Sequence, residues 1–479
     1  MDAGIPLHND SQNVPLVCDV DGTLLKTDLL AESFRALLLQ KPLEALAALR
    51  RIKNRAAFKR YVAERITLDI ATLPVNHDVL ELVKEARAQG RKVYLASASD
   101  RIYIEALARH YDGLFDGVFA SNGTVNLKGE TKAQVLCDAF GEGGFDYVGD
   151  SSCDVPVWQK ARAAIVAGSG SVARKAAGQL PHIRTLGKQS SLSDYAKALR
   201  VHQWSKNMLV FVPTVMAHKL SAQHLLPALT AFFSFCFCAS SAYLLNDWFD
   251  IDHDRQHPEK QHRTLASAKL SMVRSLQLVP LLLVMSAGLA ALLPKPFLMT
   301  LTAYYALTLA YSLWLKHTVL IDVITLACLY GIRIIAGAAL GIPLSEWLVA
   351  FSFFLFLSLA MVKRCAELIN CASEGKDKPA GGRGYILNDI PAVFSMATAS
   401  GYVAVLVLAF YIQNPEVSAL YTYPRHLWGA CLILTYWISR VLLLTSRGEM
   451  HEDPVIFAMT DRVSLTCGVA LATLIWASV

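Results

Sequence analysis

The ten cysteines of this 479-residue chain never occur as Cys-x-x-Cys, and none is spaced with histidine as a zinc site requires. Cys236, Cys238, Cys328, Cys431 and Cys467 fall in apolar stretches, where cysteine acts as a small hydrophobe. Neither a disulfide scaffold nor a zinc fold is expected, and the compartment reads as reducing. The opening residues lack a basic segment running into an apolar core, so no export signal is expected and the N-terminal part should stay in the cytosol. No basic helix is interleaved with aromatics and the net charge is only +6, which argues against nucleic acid as a partner. From about residue 205 onward charge itself becomes scarce, confined to short breaks between apolar runs.

That unevenness divides the chain. Residues 1–188 mix charged and apolar residues as a soluble domain does, 189–207 read as an amphipathic linker lying on a membrane surface, and 208–479 read as membrane-embedded. In the first part, VPLVCDVDGTLL (14–25) reads as a buried strand ending in Asp19, with Gly22 allowing a sharp turn. RKVYLASASD (91–100), FDYVGD (145–150) and AAIVAGSG (163–170) read as further strands, with helical patterns between them. This is the rhythm of a parallel sheet, whose ligands bind beyond the carboxyl ends of the strands. The chemistry-bearing residues fall there: Asp19, Asp21, Ser97, Asp150 and Asp154, with Lys132 on a helix between strands.

This ordered set resembles the haloacid dehalogenase (HAD) phosphatase superfamily over roughly residues 14–185. The resemblance implies a Rossmann-like α/β domain in which Asp19 is the nucleophile and Asp21 the general acid and base. It implies that Ser97, with Ser99 as a competitor for the role, and Lys132 hold phosphate oxygens. Asp19, the Asp21 carbonyl, Asp150 and Asp154 would form a Mg²⁺ site. A carboxylate attacking a phosphate dianion needs such a cation to offset charge. Residues 26 to about 85 are expected to form a small helical cap.

In the second part, eight stretches are long and apolar enough to span a bilayer, near 223–245, 272–293, 296–314, 318–341, 345–362, 391–412, 427–446 and 455–478, and a shorter ninth starts near 208. With nine spans and the N-terminus inside, the inner connections hold Arg255, Lys260, Arg263, Lys269, Arg274, Lys316, Lys363, Arg364, Lys376, Lys378, Arg383, Arg440 and Arg447. The outer connections hold Lys219, Lys295 and Arg425. That asymmetry fits the positive-inside rule, and the expectation is a bundle of about nine helices in the inner (plasma) membrane.

NDWFDIDHDRQHPEKQHR (246–263) follows an apolar run. On a helix, Asp247, Asp250 and Asp254 share one face, behind Asn246. Carboxylates so placed repel unless a cation joins them, and Mg²⁺, which takes oxygen ligands and bridges carboxylates to phosphates, is the natural one. Lys260 and Arg263 follow and can neutralise phosphate. His253, His257 and His262 read as loop residues. Farther on, Asp322 and Arg333 lie about three helical turns apart, roughly 16 Å along one axis, too far to pair. Charge inside a span is costly and marks a functional candidate.

The Asn-Asp-x-x-Asp-x-x-x-Asp pattern resembles the first aspartate-rich motif of the UbiA superfamily of intramembrane prenyltransferases, over about residues 195–479. The second motif usual in enzymes with aromatic acceptors is incomplete here, with Asp322 alone. HQWSKNMLVFVP, YSLWLKH and KRCAEL look most like the branch that transfers phosphoribose from phosphoribosyl diphosphate (PRPP) to decaprenyl phosphate. That resemblance implies Lys206 and Asn207 at phosphate, and Asn246, Asp247, Asp250 and Asp254 on Mg²⁺. It implies Lys260, Arg263, Lys316, Arg333 and Lys363 as substrate-binding residues, and Asp322 on the sugar or a second metal. The implied partners are a polyprenyl phosphate, PRPP and membrane lipid, with a homo-oligomer left open. Two alternatives stand beside it: transfer of an isoprenoid from its diphosphate to an aromatic or other acceptor, and a non-catalytic anchor or transporter carrying a phosphatase.

Overall fold

The computed structural model describes residues 14–167, 183–186, 191–257, 260–373, 375, 384–450 and 453–479. The expected basic positions Lys376, Lys378 and Arg383, and the end of the stretch 163–170, lie outside the described residues. By internal contact the chain forms two compact units. One comprises Met1–Ala198 with Asp247–Leu276, the other Leu199–Asn246 with Gln277–Val479.

The first unit is built on six parallel strands: β1 (Leu16–Cys18), β2 (Val93–Asp100), β3 (Gly117–Ser121), β4 (Asp146–Gly149), β5 (Ala163–Val166) and β6 (Ile183–Thr185). Their order is β3-β2-β1-β4-β5-β6. The expected parallel sheet is present, and its central strand β1 is flanked by β2 and β4, so Asp19 and Asp150 leave adjacent strands at the same edge. β3 and β6 are additions. β3 is mostly half-buried and β6 is three residues long, so neither carries the buried apolar run that betrays a strand.

Three helices, α1 (Leu29–Gln40), α2 (Pro42–Leu49) and α3 (Arg55–Ala63), form the cap around their own small core of Leu37, Ala45, Ala48, Phe58 and Val62. Asp28 and Asn54 cap α1 and α3, each accepting a backbone N–H. The cap is shorter than residues 26–85. Helix α4 (His77–Ala88) buries Val79, Leu80, Val83 and Ala86 against Leu16, Cys18, Val93 and Leu95 of the sheet. Each buried valine or leucine contributes about 2 kcal/mol when taken from water, and these side chains face the sheet, so α4 belongs to the sheet layers. Helices α5 (Arg101–His110), α6 (Glu130–Phe140) and α7 (Val155–Lys160) complete those layers.

In the second unit, α8 (Val212–Met216), α9 (Ala222–Phe249), α10 (Met272–Ala290), α11 (Lys295–Leu313), α12 (Ile321–Ala338), α13 (Glu346–Ser373), α14 (Ile390–Gln413), α15 (Trp428–Ser446), α16 (Pro454–Thr460) and α17 (Arg462–Ser478) follow in order, α9 and α10 each lying partly in the first unit. Six helices among the described residues are long and apolar enough to cross a membrane, or seven if the bent pair α16 and α17 is one span. Length and apolarity among the described residues thus support six or seven of the expected nine or so. The stretch near 208 is a 3-10 helix, Val201–Phe211, giving way to the five-residue α8, because Pro213 starts a new helix where its missing N–H costs nothing. α11 has the length but three tyrosines and three threonines dilute its apolarity. The last pair turns by 78° at Asp461, whose carboxylate accepts from Ser464 N and caps α17.

Gly337 is a close-approach position. A Cβ there would stand 2.1 Å from the Val210 carbonyl oxygen, so only glycine lets the 3-10 segment lie against α12.

Candidate functional site

The cavity of the first unit, about 1250 Å³, opens over the C-terminal ends of β1 and β4 and is lined by Asp19, Asp21, Lys132, Asp150 and Asp154. Carboxylate oxygens of Asp19, Asp150 and Asp154 all lie within 4.8 Å of one another. Lys132 Nζ donates to Asp19 Oδ1 at 2.9 Å, to Tyr147 Oη at 2.8 Å and to Asp154 Oδ1 at 3.4 Å. Asp154 also accepts from Tyr147 Oη and from Ser151 N. Thr23 Oγ1 donates to Asp150 at 3.3 Å. Gly22, at φ +80°, runs so close to Asp150 that a Cβ would stand 2.3 Å from Oδ2.

One lysine does not balance these acids. Burial pushes the Asp19 carboxyl well above its ordinary range; Lys132 opposes that, while Asp154, Asp150 and Asp21 add to it. Burial and then Asp154 push Asp150 up to about 7. Burial would lower the Lys132 ammonium, but Asp19 and Asp154 more than offset it. Three hard oxygen donors converging with too little positive charge fit Mg²⁺.

Asp21 does not face this triad through its carboxylate. It accepts from Ser97 Oγ at 2.8 Å and from Leu29 N at 2.7 Å, which aims it toward the cap. Ser97 is fully buried, and it also accepts from Ser99 N, whereas Ser99 lines the cavity. Two residues were not anticipated. Tyr147 orients Lys132 and Asp154, and Lys59 of the cap lines the cavity while donating to Ala98 O at 2.5 Å and Asn126 at 2.8 Å. Neither carries a sequence signal, since each is one polar residue on an otherwise ordinary strand or helix.

The aspartate-rich segment also lies in the first unit. Its helix does not run through: α9 ends at Phe249, and Asp250 precedes a separate six-residue helix, Ile251–Gln256, which takes in His253. Asp247 and Asp254 are nonetheless brought together. Both are buried, and Arg263 Nη1 reaches Asp254 Oδ2 at 2.8 Å and Asp247 Oδ1 at 3.5 Å. Arg263 thus meets carboxylates rather than standing apart as a phosphate ligand. Among the described residues the aspartates of this segment do not form a three-ligand group of the kind that Asp19, Asp150 and Asp154 form. The opposite side of the short helix faces the cap: Arg255 Nη2 donates to Glu32 at 2.5 Å, and Arg35 pairs with Asp252.

In the second unit, Arg333 is buried and donates from Nε to Asn207 Oδ1 at 2.9 Å and from Nη2 to Tyr304 Oη at 3.0 Å. Lys206 and Lys363 both reach Asp453 Oδ2, at 3.4 and 2.7 Å. Asp453 was not foreseen, and it gathers cations from two separate parts of the sequence. Asp322 is fully buried, with Arg364 Nε at 2.7 Å on one oxygen and Tyr385 Oη at 2.6 Å on the other. It does not pair with Arg333, as the spacing required. Asp461 pairs with Arg440 at 2.7 and 3.1 Å. Asn246, Lys260 and Lys316 stand at the end of α9, in the 3-10 turn Lys260–His262 and in the 3-10 turn Leu315–His317.

The sequence profile of the UbiA prenyltransferase family matches residues 208–460, more than half the chain. The chain belongs to the UbiA prenyltransferase family. A second profile, haloacid dehalogenase-like hydrolase, matches residues 16–159, so an N-terminal HAD-like domain precedes the UbiA domain. An uncharacterised protein, y4nM, of Sinorhizobium fredii is 35% identical over 96% of this chain and 90% of its own length. Nodulation protein NoeC of Azorhizobium caulinodans is 38% identical over 58% of this chain and 91% of its own length. Decaprenyl-phosphate phosphoribosyltransferase of Mycolicibacterium smegmatis is 35% identical over 58% of this chain and 90% of its own length. The UbiA family and the apolar helices together make the chain an integral membrane protein, and both families are families of enzymes.

Proposed function

We propose that the UbiA domain transfers 5-phosphoribose from PRPP to a polyprenyl phosphate, and that the HAD-like domain then removes the 5-phosphate. Lys206 and Lys363, both half-buried and held by Asp453, and the buried Arg333 carry this reading, because cations gathered inside an apolar unit suit phosphate groups rather than an aromatic ring. The similarity to the mycobacterial phosphoribosyltransferase supports it.

In the transfer, an oxygen of the lipid phosphate attacks the anomeric carbon of PRPP, the bond from that carbon to diphosphate breaks, and diphosphate leaves. Asp247 and Asp254, which already share one cation, with Asp250 and Asn246 beside them, would hold Mg²⁺. When bound, that ion offsets charge on the departing diphosphate. Lys206, Asn207, Lys316, Arg333 and Lys363 bind phosphate oxygens. Asp322 acts through Arg364, since its two oxygens are already engaged.

In the HAD-like domain, Asp19 attacks phosphorus and the bond to the ribose 5-oxygen breaks, that oxygen taking a proton from Asp21. Water, deprotonated by Asp21, then releases inorganic phosphate from Asp19. Lys132 and Ser97 or Ser99 hold the phosphate oxygens. Asp19, Asp150, Asp154 and the Asp21 carbonyl would hold a Mg²⁺ that supplies the missing positive charge. The domain works at the cytosolic face of the inner membrane, where PRPP is made available.

Purified protein in detergent, given Mg²⁺, a polyprenyl phosphate and PRPP, is expected to yield a lipid heavier by ribose, read by mass spectrometry. PRPP left untouched, with an isoprenoid diphosphate consumed in the presence of an aromatic acceptor instead, would replace this reading with the prenyl transfer after which the family is named.

A further inference from the structure

The phosphatase cavity is larger than a phosphate monoester needs, at about 1250 Å³, where sites that enclose a whole drug-sized ligand run to ~300–1,000 Å³. Part of its wall does not come from the HAD-like sequence at all. Leu265, Ala268, Lys269, Leu270 and Arg274 line it together with Asp19 and Lys132. This wall is held in place. Leu265 and Leu270 are buried, Leu270 N donates to Thr264 O at 3.1 Å, and Ala268 turns the chain at φ +53°, a conformation that L residues avoid unless their surroundings impose it. Arg255 fastens the same segment, donating to Ala266 O at 3.2 Å and to Glu32 of the cap at 2.5 Å. On this fixed wall Lys269 and Arg274 remain exposed to the cavity.

We infer that Lys269 and Arg274 form a second anion subsite of the phosphatase, which selects phosphomonoesters carrying a second, phosphodiester anion. The inference rests on the phosphatase half of the function proposed above and names its substrate class. The residues at Asp19 and Lys132 take the monoester, and Lys269 and Arg274 take the diester. A bare sugar phosphate satisfies only the first. Ligand chemistry of that kind arises in a phosphoribosyl lipid, whose 5-phosphate and lipid-linked phosphate sit on one ribose. Phosphate of membrane headgroups offers the same chemistry to the same cations, and the experiment separates the two.

The full-length protein in neutral detergent is assayed for phosphate release from ribose 5-phosphate and from geranyl-phosphoryl-ribose 5-phosphate. Wild type is expected to show the lower KM for the diester-bearing substrate. Lys269→Ala with Arg274→Ala should erase at least about tenfold of that preference, the usual scale for removing a charged hydrogen-bond partner. Lys269→Arg with Arg274→Lys should keep most of it. Equal losses on both substrates, or a preference that survives the alanines, would overturn the subsite. A variant effect seen only when anionic lipid is added, and equal for both substrates, would assign the cations to headgroups and overturn it as well. Good turnover of ribose 5-phosphate with no gain from the diester would leave the phosphatase standing and remove only the subsite, while release from neither substrate would remove both.

Discussion

Glu32 and Arg255 are 223 positions apart and form a buried ion pair, 2.5 Å long, with side-chain exposures of 1% and 5%. Glu32 lies in the first cap helix and also accepts from Thr27 Oγ1 at 2.7 Å, while Arg255 lies in the helix that carries Asp254. A pair so far from water is specific rather than strongly stabilising, because desolvation of both charges offsets their attraction.

Breaking it from one side is therefore the costly change. Arg255→Ala leaves Glu32 buried with Arg35 at 3.9 Å as its remaining cation, and is expected to destabilise the first unit by less than the ~3–5 kcal/mol of a wholly uncompensated buried charge. Replacing both residues with methionine should cost much less. A double-mutant cycle on thermal unfolding in detergent checks this, and a double variant whose cost equals the sum of the two single costs would show that the two residues do not couple.

Asp19→Asn removes the attacking carboxylate without changing its size. Phosphate release should fall by at least about a thousandfold, as expected when a nucleophile that forms a covalent intermediate is lost. Transfer to the lipid should continue, so that mass spectrometry finds the phosphoribosyl lipid accumulating. Simultaneous loss of transfer would mean that the HAD-like domain supports the UbiA domain physically.

Gly22→Ala places a methyl 2.3 Å from Asp150 Oδ2 in a backbone conformation suited to glycine. Asp150 must move, and the three-carboxylate site opens. In wild type at pH 7.5, Mg²⁺ at a hundred times its Kd should stabilise the first unit by about 2.7 kcal/mol. The variant should show little of that shift, and calorimetric titration with Mg²⁺ should show weaker binding. An undiminished shift would place the metal elsewhere.

Arg364→Ala leaves Asp322 with Tyr385 alone in a fully buried place. Loss of the detergent-extracted fold, or a large drop in melting temperature, is expected, since an uncompensated buried charge costs about 3–5 kcal/mol. Asp322→Asn should cost less and retain binding of PRPP. If Asp322→Asn instead abolishes PRPP binding while melting is unchanged, Asp322 touches the substrate directly.

Much of this was legible in the residues. Asp19 and Asp150 stood at strand ends, which a parallel sheet delivers to one edge, while Lys132 and Asp154 came from the resemblance to the HAD motif set. The membrane helices were legible wherever apolarity was continuous, as in α9, α13 and α14. It failed near 208 and at Asp461, where Pro213 and a capping carboxylate break what composition alone reads as unbroken. Lys59, Tyr147 and Asp453 were invisible because a single polar residue has no period and no motif.

Sequence alone settles the kinds of chemistry present: which acids end strands, which acids follow an apolar helix, and which segments prefer lipid to water. Those follow from local patterns, which need no knowledge of distant contacts. Folding settles which of these groups meet. Lys206 and Lys363 share Asp453, Asp322 takes Arg364 instead of Arg333, and the segment after α9 joins the HAD-like domain through Arg255 and Glu32. Pairing of buried charges depends on which side chains are left within a few ångströms once the apolar surfaces have packed, and that distance is written nowhere in the order of the residues.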